Sequence, residues 1–363
     1  MNSERPQTGL WWLAKRKPGV GPRLLAQMAR SEVEISHETF RALPSDRPHD
    51  YLRSLLAAVG VLPPFDIQLE RMPPWIEGVV AGLPAEHAAL VRRFAHWHVL
   101  RGMRKASREG RLSQGIANGG RRRIRVAIEF LAFLDTHGAT PVTATQDLVE
   151  RYQEHIGRKI ESEYAFIGWL REARVNTRLS LPYVPRPAPM VTVSDEQRLA
   201  AVDLLLHDES LRRYTRIGGL LTLLFAQPLS RIVAMRTSQV TLTDDSVHVR
   251  FNTIAIQMPP VLDNLIREHL DHRGKSLYAS GDAGWLFPGG NPGRHLATEN
   301  IRAQLVAVGI KPHENRKATL FQLAGDIPAP VLADLIGITH DNAADWARLA
   351  ARDWTGYIAD RAR

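Results

Sequence analysis

The chain has no cysteine in its 363 residues. That excludes disulfides, thiolate-bound zinc and cysteine nucleophiles. Lysine is scarce as well, with seven against 40 arginines, and none lies between Lys159 and Lys275. Long apolar runs are also missing. No stretch approaches the roughly 18 residues that a membrane-spanning helix needs. The apolar Leu10-Trp11-Trp12-Leu13 is followed at once by the charged Lys15-Arg16-Lys17. The expectation is therefore a cytoplasmic protein with no membrane segment.

What is present is positive charge. The net charge of +9 points to a polyanionic partner. An arginine excess also arises from codon usage alone, so placement counts for more than the sum. Apolar residues make up 44% of the chain, enough for folded cores, and the length suits two domains plus an extension.

Residues 1–84 read as an N-terminal extension of unknown role, broken by Pro63-Pro64 and Pro73-Pro74. Within it, His49–Val59 spaces its apolar residues as a short helix ended by Gly60. Residues 85–176 read as an all-helical domain. Leu90, Phe94, Trp97, Val99 and Leu100 form one helical apolar face, and Val126, Ala127, Phe130, Leu131 and Leu134 form a second. Residues 177–192 hold Pro182, Pro185, Pro187 and Pro189 and read as an extended linker.

Residues 193–363 read as a mostly α domain with one small antiparallel sheet. Ser194 is placed to cap a helix, and Tyr214–Ala226 is nearly all apolar. Val240–Leu242 and Val247–Phe251 alternate around Asp244-Asp245 as a hairpin, with Ile254–Gln257 as a third short strand. Further helices are expected over 261–270, 298–308, 317–324 and 330–335. The fold class is thus mostly α (α+β).

Three features carry chemistry. Arg231 follows the apolar helix, His313-Glu314-Asn315-Arg316 comes about 80 residues later, and Tyr357 lies near the C-terminus. An Arg, a His-x-x-Arg and a late Tyr, in that order, resemble the tyrosine recombinase (phage integrase) family. The likeness extends to residues 220–236 around Arg231, to "WLFPGG" with the helix after it, to "PHENRKATLFQLA" and to "VLADLIGI". Residues 85–176 are similar to the family's core-binding domain, which clamps the far face of the duplex.

The resemblance implies a site-specific recombinase acting on double-stranded DNA as a tetramer on paired sites, with no cofactor and no metal. Arg231 and Arg316 would bind the scissile phosphate, His313 would orient it or accept the Tyr proton, and Tyr357 would attack. The chain departs from the family pattern at four places. Ala234 stands where an acidic residue is usual. The sheet turn near Asn252-Thr253 carries no Lys. Ile338 aligns with the third-box His, two residues before His340. Ala347 stands where the nucleophile is expected, ten residues before Tyr357. His340 or a water is left to protonate the leaving oxygen. Trp354 and Tyr357, three apart, would serve equally as an aromatic pair on the core.

Basic residues cluster in the helical domain. Arg101, Arg104, Lys105, Arg108 and Arg111 recur at three- and four-residue spacing, and Arg121, Arg122, Arg123 and Arg125 open the next helix. They read as a phosphate-tracking surface or as a solvated charged face. Three functions stay open from sequence: a recombinase, a DNA-binding protein that kept the fold without cleavage, and a helical interaction protein.

Overall fold

The computed structural model describes residues 19–44, 46–109, 112–156, 160–180, 190–273 and 283–361, without the side chains of 155, 156, 160–163 and 352–361. The four linker prolines, Arg111 and Lys275 lie outside the described residues. The chain divides into two compact units, one of Met1–Pro64 with Pro187–Arg363 and the other of Phe65–Arg186.

The first unit begins with α1 (Val20–Ala29), α2 (His37–Ala42) and α3 (Arg47–Ala58). Ser36 and Asp46 each accept a backbone N–H three residues on, which starts α2 and α3. Leu24, Met28, Phe40, Leu52, Leu55 and Leu56 close a small core between these helices.

The second unit is all helical. It holds α4 (Ile67–Glu70), α5 (Met72–Val80), α6 (Ala85–Phe94), α7 (Arg101–Arg108), α8 (Gln114–Thr136), α9 (Gln146–Ile156) and α10 (Ile160–Glu172). It starts at Phe65, twenty residues before the expected boundary. Met72, Ile76 and Val80 of α5 are fully buried in the same core as Phe94, Phe130 and Phe166, so α5 belongs to this unit. Likewise α8 starts at Gln114, capped by Ser113, well before the Arg121 cluster expected to open it. Gly115, Gly119 and Gly120 interrupt the apolar pattern there and hide the helix start. Gly120 is needed for packing, because a Cβ would lie 2.8 Å from Val99 Cγ1.

Between α6 and α7 the helix widens into a π turn, Ala95–Leu100. A continuous α-helix that buries Val91 and Phe94 would next bury 98 and 102. The buried positions are instead Val99, Leu100, Met103 and Ala106, about one residue later. The π turn supplies that extra residue. Trp97 is 70% exposed, so it is not part of the apolar face with Leu90, Phe94, Val99 and Leu100.

The rest of the first unit contains α11 (Asp195–His207), α12 (Arg213–Phe225), α13 (Leu229–Val233), strands β1 (Val240–Leu242), β2 (Val247–Arg250) and β3 (Ala255–Gln257), then α14 (Pro260–Arg273), α15 (Thr298–Ala307), α16 (Pro312–Asp326), α17 (Ala329–Ile336) and α18 (His340–Arg361). Ser194 and Gln197 form the expected reciprocal cap of α11. The sheet is antiparallel in the order β1-β2-β3, with Val249 opposite both Val240 and Ile256. Buried Leu220, Leu221, Ile232, Val247 and Val249 join the sheet to α12 and α13. α16 packs against both α12 and α18. The fold class is mostly α with one small sheet. Among the described residues no helix is long and apolar enough to cross a membrane.

Two readings shift. The helix bearing the His-x-x-Arg box starts at Pro312 and not at Lys317, so His313 and Arg316 are helical. The segment after His340 is a 22-residue helix that apolar spacing did not announce.

Candidate functional site

The site is built where three chain turns meet. α12 stops at Phe225 because Ala226 turns left-handed, at φ 52°. The carbonyls at this helix end then lack intrahelical partners. Arg316 Nε donates to the Ala226 carbonyl at 2.6 Å, and Thr319 Oγ1 donates to that of Leu223 at 2.7 Å. The box helix α16 is thereby clipped onto the end of α12.

Pro228 restarts the chain as the short α13, which carries Arg231. Arg231 reaches the end of a second helix. Its Nη1 donates to the Ile336 carbonyl at 2.7 Å and its Nη2 to the Gly337 carbonyl at 2.9 Å. Gln227 Nε2 shares the Ile336 carbonyl at 3.1 Å. The β2–β3 turn reaches the same helix end. Asn252 Nδ2 donates to the Asp334 carbonyl at 3.0 Å, and Thr253 Oγ1 to the same atom at 3.5 Å. Gly337 closes α17 at φ +71°, and a Cβ there would lie 2.6 Å from Arg231 Nη1.

The electrostatics follow from this placement. Burial of its inner edge lowers the pKa of Arg231. Arg316 is lowered first by burial and then by the charge of Arg231. Both guanidinia stay protonated at neutral pH. The two cations are neighbours, and among the described residues neither has a carboxylate partner. Each still has N–H groups not taken by the backbone carbonyls. Two adjacent, partly desolvated guanidinia with spare donors make an anion site, and the geometry of a planar fork suits phosphate oxygens.

No protein-family model and no curated protein matches this sequence. Solved structures do. A XerH site-specific recombinase bound to palindromic difH substrate, in a post-cleavage complex, aligns at a TM-score of 0.51 over 82% of this chain and 96% of that one, at 11% identity. The tyrosine-recombinase fold is this chain's fold. A pre-cleavage XerH complex aligns at 0.49 over 77% of this chain and 91% of that one, at 11% identity. A Tn1549 transposon integrase in complex with a circular intermediate DNA aligns at 0.47 over 74% and 99%, at 12%.

Within the recombinase fold the sequence-predicted residues are distributed unevenly. Arg231 and Arg316 come together. His313 lies on α16 one turn before Arg316, exposed. His340 is the first residue of α18, also exposed, beside Thr339, whose Oγ1 accepts the Asn342 N–H at 3.3 Å. No hydrogen bond among the described residues links either histidine to the arginines. The backbone of residue 357 lies in α18, but the Trp354 and Tyr357 side chains lie outside the described residues. Among the described residues, no three His, Asp or Glu side chains come together as a metal site.

Sequence reasoning missed Gln227, Gly337 and the working role of Asn252 and Thr253. Gly337 had a signal: a glycine just after an apolar helix marks a left-handed helix end. Gln227 had none.

The basic residues of the helical unit divide into two groups. Arg101, Arg104, Lys105 and Arg108 are exposed on α7, opposite buried Met103 and Ala106, and none has an acidic partner among the described residues. Arg122 and Arg123 are exposed on α8. Arg121 is half-buried, bonded to Asn118 Oδ1 at 3.3 Å and placed over the Trp75 ring at 5.7 Å. Arg125 covers the same ring at 5.4 Å. Those two cations therefore also hold α5 to α8.

Proposed function

We propose that this protein is a site-specific DNA recombinase that cuts and rejoins duplex DNA through a 3′-phosphotyrosyl intermediate. The observation that carries the reading is the pair Arg231 and Arg316, two neighbouring guanidinia with no carboxylate partner among the described residues, on the tyrosine-recombinase fold. Phosphodiester attack builds negative charge on the non-bridging oxygens. Donors fixed in advance are the largest catalytic contribution to such a step. Backbone carbonyls of two helix ends fix these donors.

The step balances without an external energy source. The Tyr357 phenol oxygen attacks phosphorus, and His313 accepts its proton or orients the phosphate. The bond from phosphorus to the 5′-oxygen breaks, and that oxygen takes a proton from His340 or water. The phosphotyrosyl bond keeps the free energy of the broken one, so a second 5′-hydroxyl can reverse the reaction on a new strand. The exposed cations Arg101, Arg104, Lys105, Arg108, Arg122 and Arg123 hold phosphates and set register. Strand exchange needs two sites, hence an assembly of four protomers on DNA.

One observation favours a second reading, a DNA-binding protein without cleavage. The sheet turn that bears Lys in the family uses Asn252 and Thr253 to hold α17 and presents no cation. Covalent trapping on nicked duplexes from DNA flanking the gene separates the two. A denaturation-resistant adduct that is lost in Tyr357→Phe supports the recombinase and its nucleophile. No adduct, on DNA that the protein binds, supports the second reading.

A further inference from the structure

The exposed ring of Trp97 is not explained by the cleavage site or by packing. It is 70% exposed on the π turn, while its helical neighbours Phe94, Val99 and Leu100 are buried. Leaving so large an aromatic in water forgoes its burial free energy. A π turn inside a helix is often found at a functional position. Here Trp97 lies off the core face that holds Val91, Phe94, Val99 and Met103.

The ring heads a charged stripe. Arg101, Arg104, Lys105 and Arg108 follow Trp97 at four, seven, eight and eleven residues, so the five side chains share one helix face. All are exposed, and the four cations lack acidic partners among the described residues. From Trp97 to Arg108 the helix rises about 16 Å, which matches roughly five base steps of about 3.4 Å. A protein partner would be expected to meet a contiguous apolar patch. A single aromatic ringed by unpaired cations is complementary instead to a polyanion that also offers flat apolar faces. Nucleic acid has both.

We propose that Trp97 is a DNA-contacting residue of the helical unit, packing its ring against nucleobases while the stripe behind it holds phosphates. The inference rests on the DNA-binding reading and deepens it. The phosphate contacts supply salt-dependent affinity. The ring supplies a contact that salt does not screen, of the kind aromatic side chains make with accessible bases.

The test compares wild type, Trp97→Ala and Trp97→Phe on a fluorescein-labelled duplex from the gene's flanking DNA, with Kd measured over a series of salt concentrations. Trp97→Ala is expected to weaken binding about 5-fold, the low end of a base–aromatic contact because a duplex step must first be partly unstacked, with an unchanged slope of log Kd on log salt. Trp97→Phe should recover most of the loss. A Trp97→Ala protein that binds as wild type does overturns the inference and leaves the DNA-binding reading intact. A loss accompanied by a shallower slope overturns it too, because the lost contact would be ionic. A changed oligomeric state of Trp97→Ala without DNA overturns it in favour of a second copy as the occupant. A wild type that binds no duplex at low salt removes both readings together. The side chain is on the surface, so thermal midpoints of the variants should match wild type.

Discussion

Gly337→Ala is expected to disable cleavage while leaving the fold and DNA binding in place. Gly337 sits at φ +71°, where an alanine costs about 1–2 kcal/mol of stability. The added Cβ would also lie 2.6 Å from Arg231 Nη1, 3.4 Å from its Cζ and 3.3 Å from Asn252 Cβ. The nearest of these atoms is the far end of a flexible side chain. The strain is therefore relieved by moving the guanidinium, at the cost of its bonds to the Ile336 and Gly337 carbonyls. Losing one positioned transition-state donor lowers the chemical rate by about 100- to 1000-fold. Single-turnover formation of the covalent adduct on a nicked duplex reads that loss, and anisotropy on the same duplex reads affinity. Gly337→Asn separates the two effects. Asparagine tolerates the left-handed backbone but brings the same Cβ, so it should lose cleavage as alanine does and lose less stability. An adduct rate in Gly337→Ala within a few-fold of wild type, alongside a lowered thermal midpoint, would show that Gly337 does not set the seat of Arg231.

Arg122→Ala with Arg123→Ala should weaken binding to all duplexes and reduce the magnitude of the salt slope by about two, one per phosphate contact; Arg121→Ala should instead lower the thermal midpoint, because that side chain spans Asn118 and Trp75. Stability should fall as pH drops below the ordinary histidine value. His269 is half-buried between the Leu286 carbonyl and the Phe287 ring, and this burial lowers its pKa in the folded state. The unfolded chain then binds the extra proton first, so this contribution is whole above about 6.5 and is lost as the pH falls below it. His269→Gln should flatten that part of the thermal midpoint against pH curve, and an unchanged curve would exclude His269 as its source.

Elements with a clean apolar period were legible in the sequence. The α12 run, the hairpin around Asp244-Asp245 and the Ser194 cap appear within a residue or two of their expected places. The arginine pair was legible because each residue lies in a local pattern that the fold preserves. Trp97 was misread because its three-residue spacing from Phe94 implies a shared face, whereas the phase set by Val91, Phe94 and Ala95 leaves residue 97 outside the buried side. The start of the helical unit was misread because Pro73-Pro74 reads as a break, whereas proline near the start of α5 fits the first turn of a helix. Gln227 and Asn252 were invisible because their partners are backbone carbonyls more than 80 residues away in sequence.

Those distant carbonyls connect two departures from the family pattern. Asn252 and Thr253 lie in the sheet turn where the resemblance expects a lysine, and Ala234 lies where it expects an acid. With the acid gone, two like charges would lie side by side with no neutralising group. The end of α17 supplies one in another form. A helix C-terminus carries about half a negative charge on its unpaired carbonyls, and Arg231 binds two of them directly. The sheet turn binds a third, that of Asp334, and so holds the same helix end in place. Asn252 and Thr253 thus fasten the helix end whose carbonyls offset the charge of Arg231.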